Sequence, residues 1–141
     1  MSRPPPATFT ILVIDDDPGL LELATELLSG DGHRVLVASR GEDALAIVRT
    51  ARPDLILLDY HMPGMDGLAV IERLKADAAT QRIPVVALTS GTAEHANELS
   101  RAGCIGFIPK PFAPAEFLRL VTDLLNETAG RSRRGKPGSG T

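Results

Sequence analysis

Apolar runs of strand length alternate with helically spaced stretches five times along this chain, and that alternation restricts the fold more than any other feature. Thr10-Ile-Leu-Val-Ile14 is continuous and β-branched, as a strand covered on both faces of a parallel sheet must be. Asp17 and Pro18 then supply a helix cap and a residue preformed for the first helical position. Leu20, Leu23, Ala24 and Leu27 follow at helical spacing, Leu21 and Leu28 widen the stripe, and Gly30-Asp31-Gly32 stops it. The pattern predicts further strands at 34–38, 54–58, 83–88 and 104–108, and further helices at 42–50, after Leu68, at 92–101 and at 115–126. Pro84 stands near the start of the fourth strand, where a missing donor is tolerated. Met62-Pro-Gly-Met-Asp-Gly67 is a turn-rich loop.

Strand–helix alternation with short connections demands right-handed crossovers and a parallel sheet with helices on both faces, an α/β fold. The length of 141 residues suits one domain. No stretch approaches the roughly 20 apolar residues of a membrane span, and the Pro-rich start does not read as a signal peptide. The lone Cys104 reads as a small buried residue and fits a reducing, cytoplasmic setting. Net charge is −3, unevenly placed: the last 13 residues hold Arg131, Arg133, Arg134 and Lys136 and no acid, which leaves −7 for the first 128. An acidic body argues against nucleic acid as a direct partner. The expected organisation is a disordered N-terminus at 1–8, one domain at 9–127 and a basic Gly/Ser-rich disordered tail at 128–141.

In an open parallel sheet, ligands sit beyond the carboxyl ends of the strands. Asp15 and Asp16 follow the first strand, Asp59 ends the third, Thr89 ends the fourth and Lys110 follows the fifth. Three carboxylates at one edge raise one another's pKa unless a cation intervenes. Mg²⁺ suits carboxylate oxygens and keeps several waters, with Mn²⁺ able to substitute. One acid is then free to act as a nucleophile toward phosphorus. Lys110 would hold a phosphate oxygen and Thr89 would donate its hydroxyl to another. Each residue read alone is ordinary: a turn acid, a strand-end hydroxyl, a solvated lysine. Their common edge gives them weight, and Pro109 and Pro111 hold the Lys110 backbone rigidly.

Ile11-Leu-Val-Ile-Asp-Asp-Asp-Pro18, Asp54-Leu-Ile-Leu-Leu-Asp-Tyr-His-Met-Pro-Gly-Met-Asp-Gly67, Val85-Val-Ala-Leu-Thr-Ser90 and Gly106-Phe-Ile-Pro-Lys-Pro-Phe112 together resemble the receiver domain of two-component response regulators, chemotaxis-type single-domain receivers included. The resemblance covers residues 9 to about 127. It implies a flavodoxin-like, doubly wound, five-stranded parallel sheet of order 2-1-3-4-5 with five helices. It implies Asp59 as phosphoacceptor, and Asp15, Asp16, Asp59 and the backbone carbonyl of His61 around Mg²⁺. It also implies Lys110 on the phosphoryl group before a cis bond to Pro111, and Thr89 and Phe107 as switch residues. Phe107 lacks a hydroxyl, so its part would be steric. His61 and Gly91 are expected to tune the phosphoryl lifetime.

The resemblance further implies a phosphorylation-controlled switch that catalyses only its own phosphorylation and dephosphorylation. A sensor histidine kinase or phosphotransfer protein would stand upstream, and an unidentified protein would dock downstream on the face of the fourth helix, fifth strand and fifth helix. The fourth helix, with Glu94, His95, Asn97, Glu98 and Arg101, looks solvated, which favours a monomer or a weak phosphorylation-dependent dimer. No output domain is expected after residue 126, so the protein would act by docking or in a phosphorelay; a receiver fragment of a larger regulator or hybrid kinase is the alternative. A Mg²⁺-dependent phosphohydrolase using the Asp15-Asp16-Asp17 run would leave Asp59 without a role. A flavin binder would want aromatics, which are only 4% of the chain, and a phosphate loop that is not acidic.

Overall fold

A computed structural model of the chain describes residues 8–62, 64–89 and 93–134. The β-branched runs form strands β1 (Thr10–Ile14), β2 (Arg34–Ala38), β3 (Leu55–Asp59), β4 (Val85–Thr89) and β5 (Gly106–Pro109). Between and after them lie helices α1 (Pro18–Gly30), α2 (Gly41–Ala51), α3 (Gly67–Ala76), α4 (Ala93–Ala102) and α5 (Pro114–Arg134). All strand pairs are parallel and the order is β2-β1-β3-β4-β5. The order reverses on either side of β1, which puts the switch point in strand order at the carboxyl ends of β1 and β3, where ligands of such sheets sit.

Side chains alternate across the strands, so the sheet carries two separate apolar layers. Leu12, Ile14, Ile56, Leu58, Val85 and Ala87 face α2, α3 and α4. Ile11, Val13, Leu55, Leu57, Val86 and Leu88 face α1 and α5. Phe117, fully buried, anchors α5 to the second layer and stacks on Phe112 with ring centroids 4.4 Å apart. Burial on both faces explains why the strands read as unbroken apolar runs.

Asp17 caps α1 as expected, its carboxylate accepting from the Gly19 amide at 2.9 Å. Three boundaries differ by two residues or more from the sequence reading. β4 begins at Val85 rather than at residue 83, because Pro84 lacks a donor and the Ile83 amide turns back to the Thr80 carbonyl. β5 begins at Gly106 rather than at residue 104, because the Cys104 amide closes the end of α4 on the Leu99 carbonyl. α5 continues to Arg134, so 128–134 is helical where a disordered tail was expected. Arginine is a good helix former, and cations near a helix C-terminus are favoured by its dipole. Residues 1–7 and 135–141 lie outside the described residues. Among the described residues no helix is long and apolar enough to cross a membrane.

Candidate functional site

The carboxyl ends of β1, β3 and β5 bring three acids and one lysine together. Asp15 follows β1, and its own amide bonds to the Ala38 carbonyl at the end of β2. Its side chain is fully buried, and one carboxylate oxygen accepts from the Asp17 amide at 2.9 Å. Asp59 ends β3 and is only 5% exposed. Asp16 is exposed at the rim. Oxygens of Asp15, Asp16 and Asp59 lie within 4.8 Å of one another, close enough to hold one metal ion.

Lys110 reaches into this cluster from the end of β5. Its Nζ stands 3.1 Å from Asp15 Oδ2 and 3.4 Å from Asp59 Oδ1. The Lys110 amide donates to the Thr89 carbonyl at 3.1 Å, and the Lys110–Pro111 bond is cis. Burial pushes the Asp59 carboxyl up from its ordinary value, and the neighbouring Asp15 charge adds to the rise. Lys110 and the backbone N–H of His61 pull it back only in part. For Lys110 burial works against the charged form, but the hydrogen bond and charge of Asp15 and the charge of Asp59 more than offset it, and its pKa rises.

One lysine faces three acids, so the pocket keeps an excess of negative charge in a low-dielectric setting. Hard oxygen donors with that excess fit a small divalent cation such as Mg²⁺. Asp15, Asp16 and Asp59 are the residues that would hold it.

Thr89 ends β4 half-buried at the same edge, and Leu88 beside it pairs with Asp59 in register. Phe107 pairs with Ala87 on β4 and packs half-buried against the α2–α3–α4 layer. His61 is exposed, its ring set edge-on to Tyr60 at 4.7 Å. Gly91 lies outside the described residues.

Two features had not been read from the sequence. A Cβ on Gly67 would come within 2.8 Å of the Asp59 carbonyl and 2.9 Å of Tyr60 Cα, so only glycine lets α3 start directly behind the acid. The second Gly of a Gly-rich loop was its only trace. The other feature is the Tyr60 hydroxyl, which donates to Glu98 Oε1 on α4 at 2.8 Å. That bond pushes the phenol's pKa up. Glu98 is therefore engaged rather than simply solvated.

Residues 11–122 match the response regulator receiver domain family. The chain belongs to that family. It is 42% identical over 112 residues to the DNA-binding response regulator MtrA of Mycolicibacterium smegmatis, an alignment covering 79% of this chain and 48% of MtrA. The chain thus spans about half the length of such relatives. Its structure is similar to that of the Vibrio cholerae chemotaxis protein CheY4, with TM-score 0.79 and 29% identity over 83% of this chain and 98% of that one. It is similar too to the receiver domain of sensor histidine kinase PA1611 from Pseudomonas aeruginosa, with TM-score 0.76 and 29% identity over 85% and 99% of the two chains. The PA1611 receiver was solved with a magnesium ion coordinated in its active-site cleft. Receiver domains of this family are signalling switches of two-component systems that work with histidine kinases or phosphotransfer proteins.

Proposed function

We propose that this protein accepts a phosphoryl group on Asp59 from a histidine kinase or phosphotransfer protein, with Mg²⁺, and passes the change on by docking another protein. One observation carries the reading: a single Lys110 ammonium bridges the two buried carboxylates Asp15 and Asp59 at the carboxyl edge where the strand order reverses. A carboxylate of Asp59 forms the new bond to phosphorus while the bond from the donor's imidazole nitrogen breaks, and that imidazole regains a proton. Lys110 turns from the Asp59 oxygen to an oxygen of the arriving group, where its charge is worth more than in water. Thr89 donates its hydroxyl to another. Asp15, Asp16, Asp59 and the carbonyl of His61 would hold Mg²⁺, which would supply positive charge to the phosphoryl oxygens. Phe107 turns inward as Thr89 moves, which alters the face of α4, β5 and α5. His61 and Gly91 set how long the phosphoryl group lasts.

The magnesium site in the PA1611 receiver supports the metal assignment. The match to half of MtrA supports a second context for the same chemistry, in which this receiver is the input part of a longer regulator. The acidic body and the absence of a membrane-length helix among the described residues fit a cytoplasmic protein, monomeric or weakly dimeric when phosphorylated. The test is intact mass after incubation with acetyl phosphate and Mg²⁺. A phosphoryl adduct is expected on the wild type, and none on Asp59→Asn or without metal. An adduct that persists on Asp59→Asn would refute the assignment.

A further inference from the structure

Tyr60 sits between the proposed acceptor and His61, and its backbone is fixed. Its amide donates to the Leu88 carbonyl of β4 at 3.2 Å, and its carbonyl accepts from the Gly67 amide at 3.0 Å. Only its side chain is left to move, and that side chain reaches across to α4, 38 residues further along, to bond Glu98. Among the described α4 side chains Leu99 alone is buried, so α4 is lightly held. Beside the bond lies a cleft of about 490 Å³ between α3 and α4, lined by Leu68, Glu72, Glu98 and Arg101. α4 therefore has room to shift, and the Tyr60–Glu98 bond is a tether between it and the acidic pocket.

We propose that the Tyr60–Glu98 hydrogen bond is a latch of the unmodified state: it holds α4 against the loop behind Asp59 and is released when the pocket fills. This rests on the phosphoacceptor reading given above and adds the residues that regulate it. Tyr60 and Glu98 are positioning residues, since neither touches the reacting atoms. A contact made in one state and lost in the other opposes the transition by its own free energy. Removing it must favour the filled state by about two- to tenfold, the range that one net hydrogen bond supports. The bond is exposed and water competes for both partners, so it can yield without a large barrier.

The test uses Tyr60→Phe, which keeps the ring and its contact with His61, together with Glu98→Ala and the conservative Glu98→Gln. Affinity for beryllium fluoride in the presence of Mg²⁺ is measured by calorimetry. Amide hydrogen exchange of α4 is measured on the metal-free protein. Tyr60→Phe and Glu98→Ala are expected to bind beryllium fluoride about two- to tenfold more tightly, with faster exchange in α4 and Glu98→Gln intermediate. Binding by the wild type with unchanged or weaker binding by Tyr60→Phe and Glu98→Ala overturns the latch alone. No binding by the wild type overturns the phosphoacceptor reading and the latch with it.

Discussion

Two half-buried lysines mark the two edges of the sheet, and their surroundings are opposite in kind. Lys110, at the carboxyl edge, stands between the carboxylates of Asp15 and Asp59. Lys75, near the end of α3 at the other edge, donates to the Gln81 and Ile83 carbonyls at 2.9 and 3.1 Å. Its stem lies against Gly103, where a Cβ would meet Lys75 Cε at 2.9 Å. Burial pulls the Lys75 pKa down, opposed weakly by the Cys104 thiol, whose own pKa burial pushes up to about 12. Lys75 ties the end of α3 to the connection before β4 through neutral acceptors, while its stem packs on the turn after α4. Lys110 is held by charges that an arriving anion or cation would rearrange. Lys75 is structural and Lys110 is poised, and the difference lies in whether the partners can exchange.

Substitution should separate the two most sharply. Lys110→Met is expected to lower phosphoryl loading by about a hundredfold or more, the scale of losing one preorganised charge on the transferred group. Lys75→Met should leave loading within about twofold, the scatter expected of a side chain remote from the chemistry. A time course of intact mass compares them, and equal losses would erase the distinction. The next largest effect is on stability. Lys75→Met strips two carbonyls of their donor and should cost about 1–3 kcal/mol in urea unfolding.

Charge at the acidic edge gives a smaller effect of opposite sign. The Asp59 pKa is raised in the fold, so the folded state holds its proton more tightly than the unfolded chain does. Stability is then lost as pH rises from the unfolded value of 3.8 through the higher folded value. Asp59→Asn removes that loss and should stabilise the metal-free protein at neutral pH by about 0.5–2 kcal/mol. Its advantage should vanish as pH falls to 3.8, which melting curves across that range would check.

The smallest difference is alkaline. Lys75 has a lowered pKa, so the unfolded chain binds the proton more tightly, and its contribution grows as pH rises from the folded value toward 10.5. Lys110 has a raised pKa, so its contribution holds up to 10.5 and fades above it. The cost of Lys75→Met should therefore increase between neutral pH and 10.5. A cost that shrinks over that interval would contradict the assignment of Lys75.

Much of this was legible beforehand for a physical reason. Strands covered on both faces must be apolar throughout, so Leu55, Ile56, Leu57 and Leu58 announced β3 and placed Asp59 at its carboxyl end. Lys110 was legible because two prolines flank it. Lys75 was not, since a lysine at a helix end looks solvated and its carbonyl partners belong to a connection whose path is set in three dimensions. Tyr60 and Glu98 were hidden for the same reason, being polar surface residue types 38 positions apart. The extension of α5 to Arg134 was obscured by Gly130 and the polar residues around it, whose composition reads as linker.

The division of the apolar interior into two layers has a consequence for how the chain can vary. Leu74 belongs to the layer under α3 and Val121 to the layer under α5, with the full thickness of the sheet between them. Defects that share no partner at such separation combine additively. Each flank can thus accumulate substitutions on its own account, and a lineage could remodel the α1–α5 surface while leaving the α3–α4 flank untouched. The sheet is in that sense a firewall between two independently heritable halves.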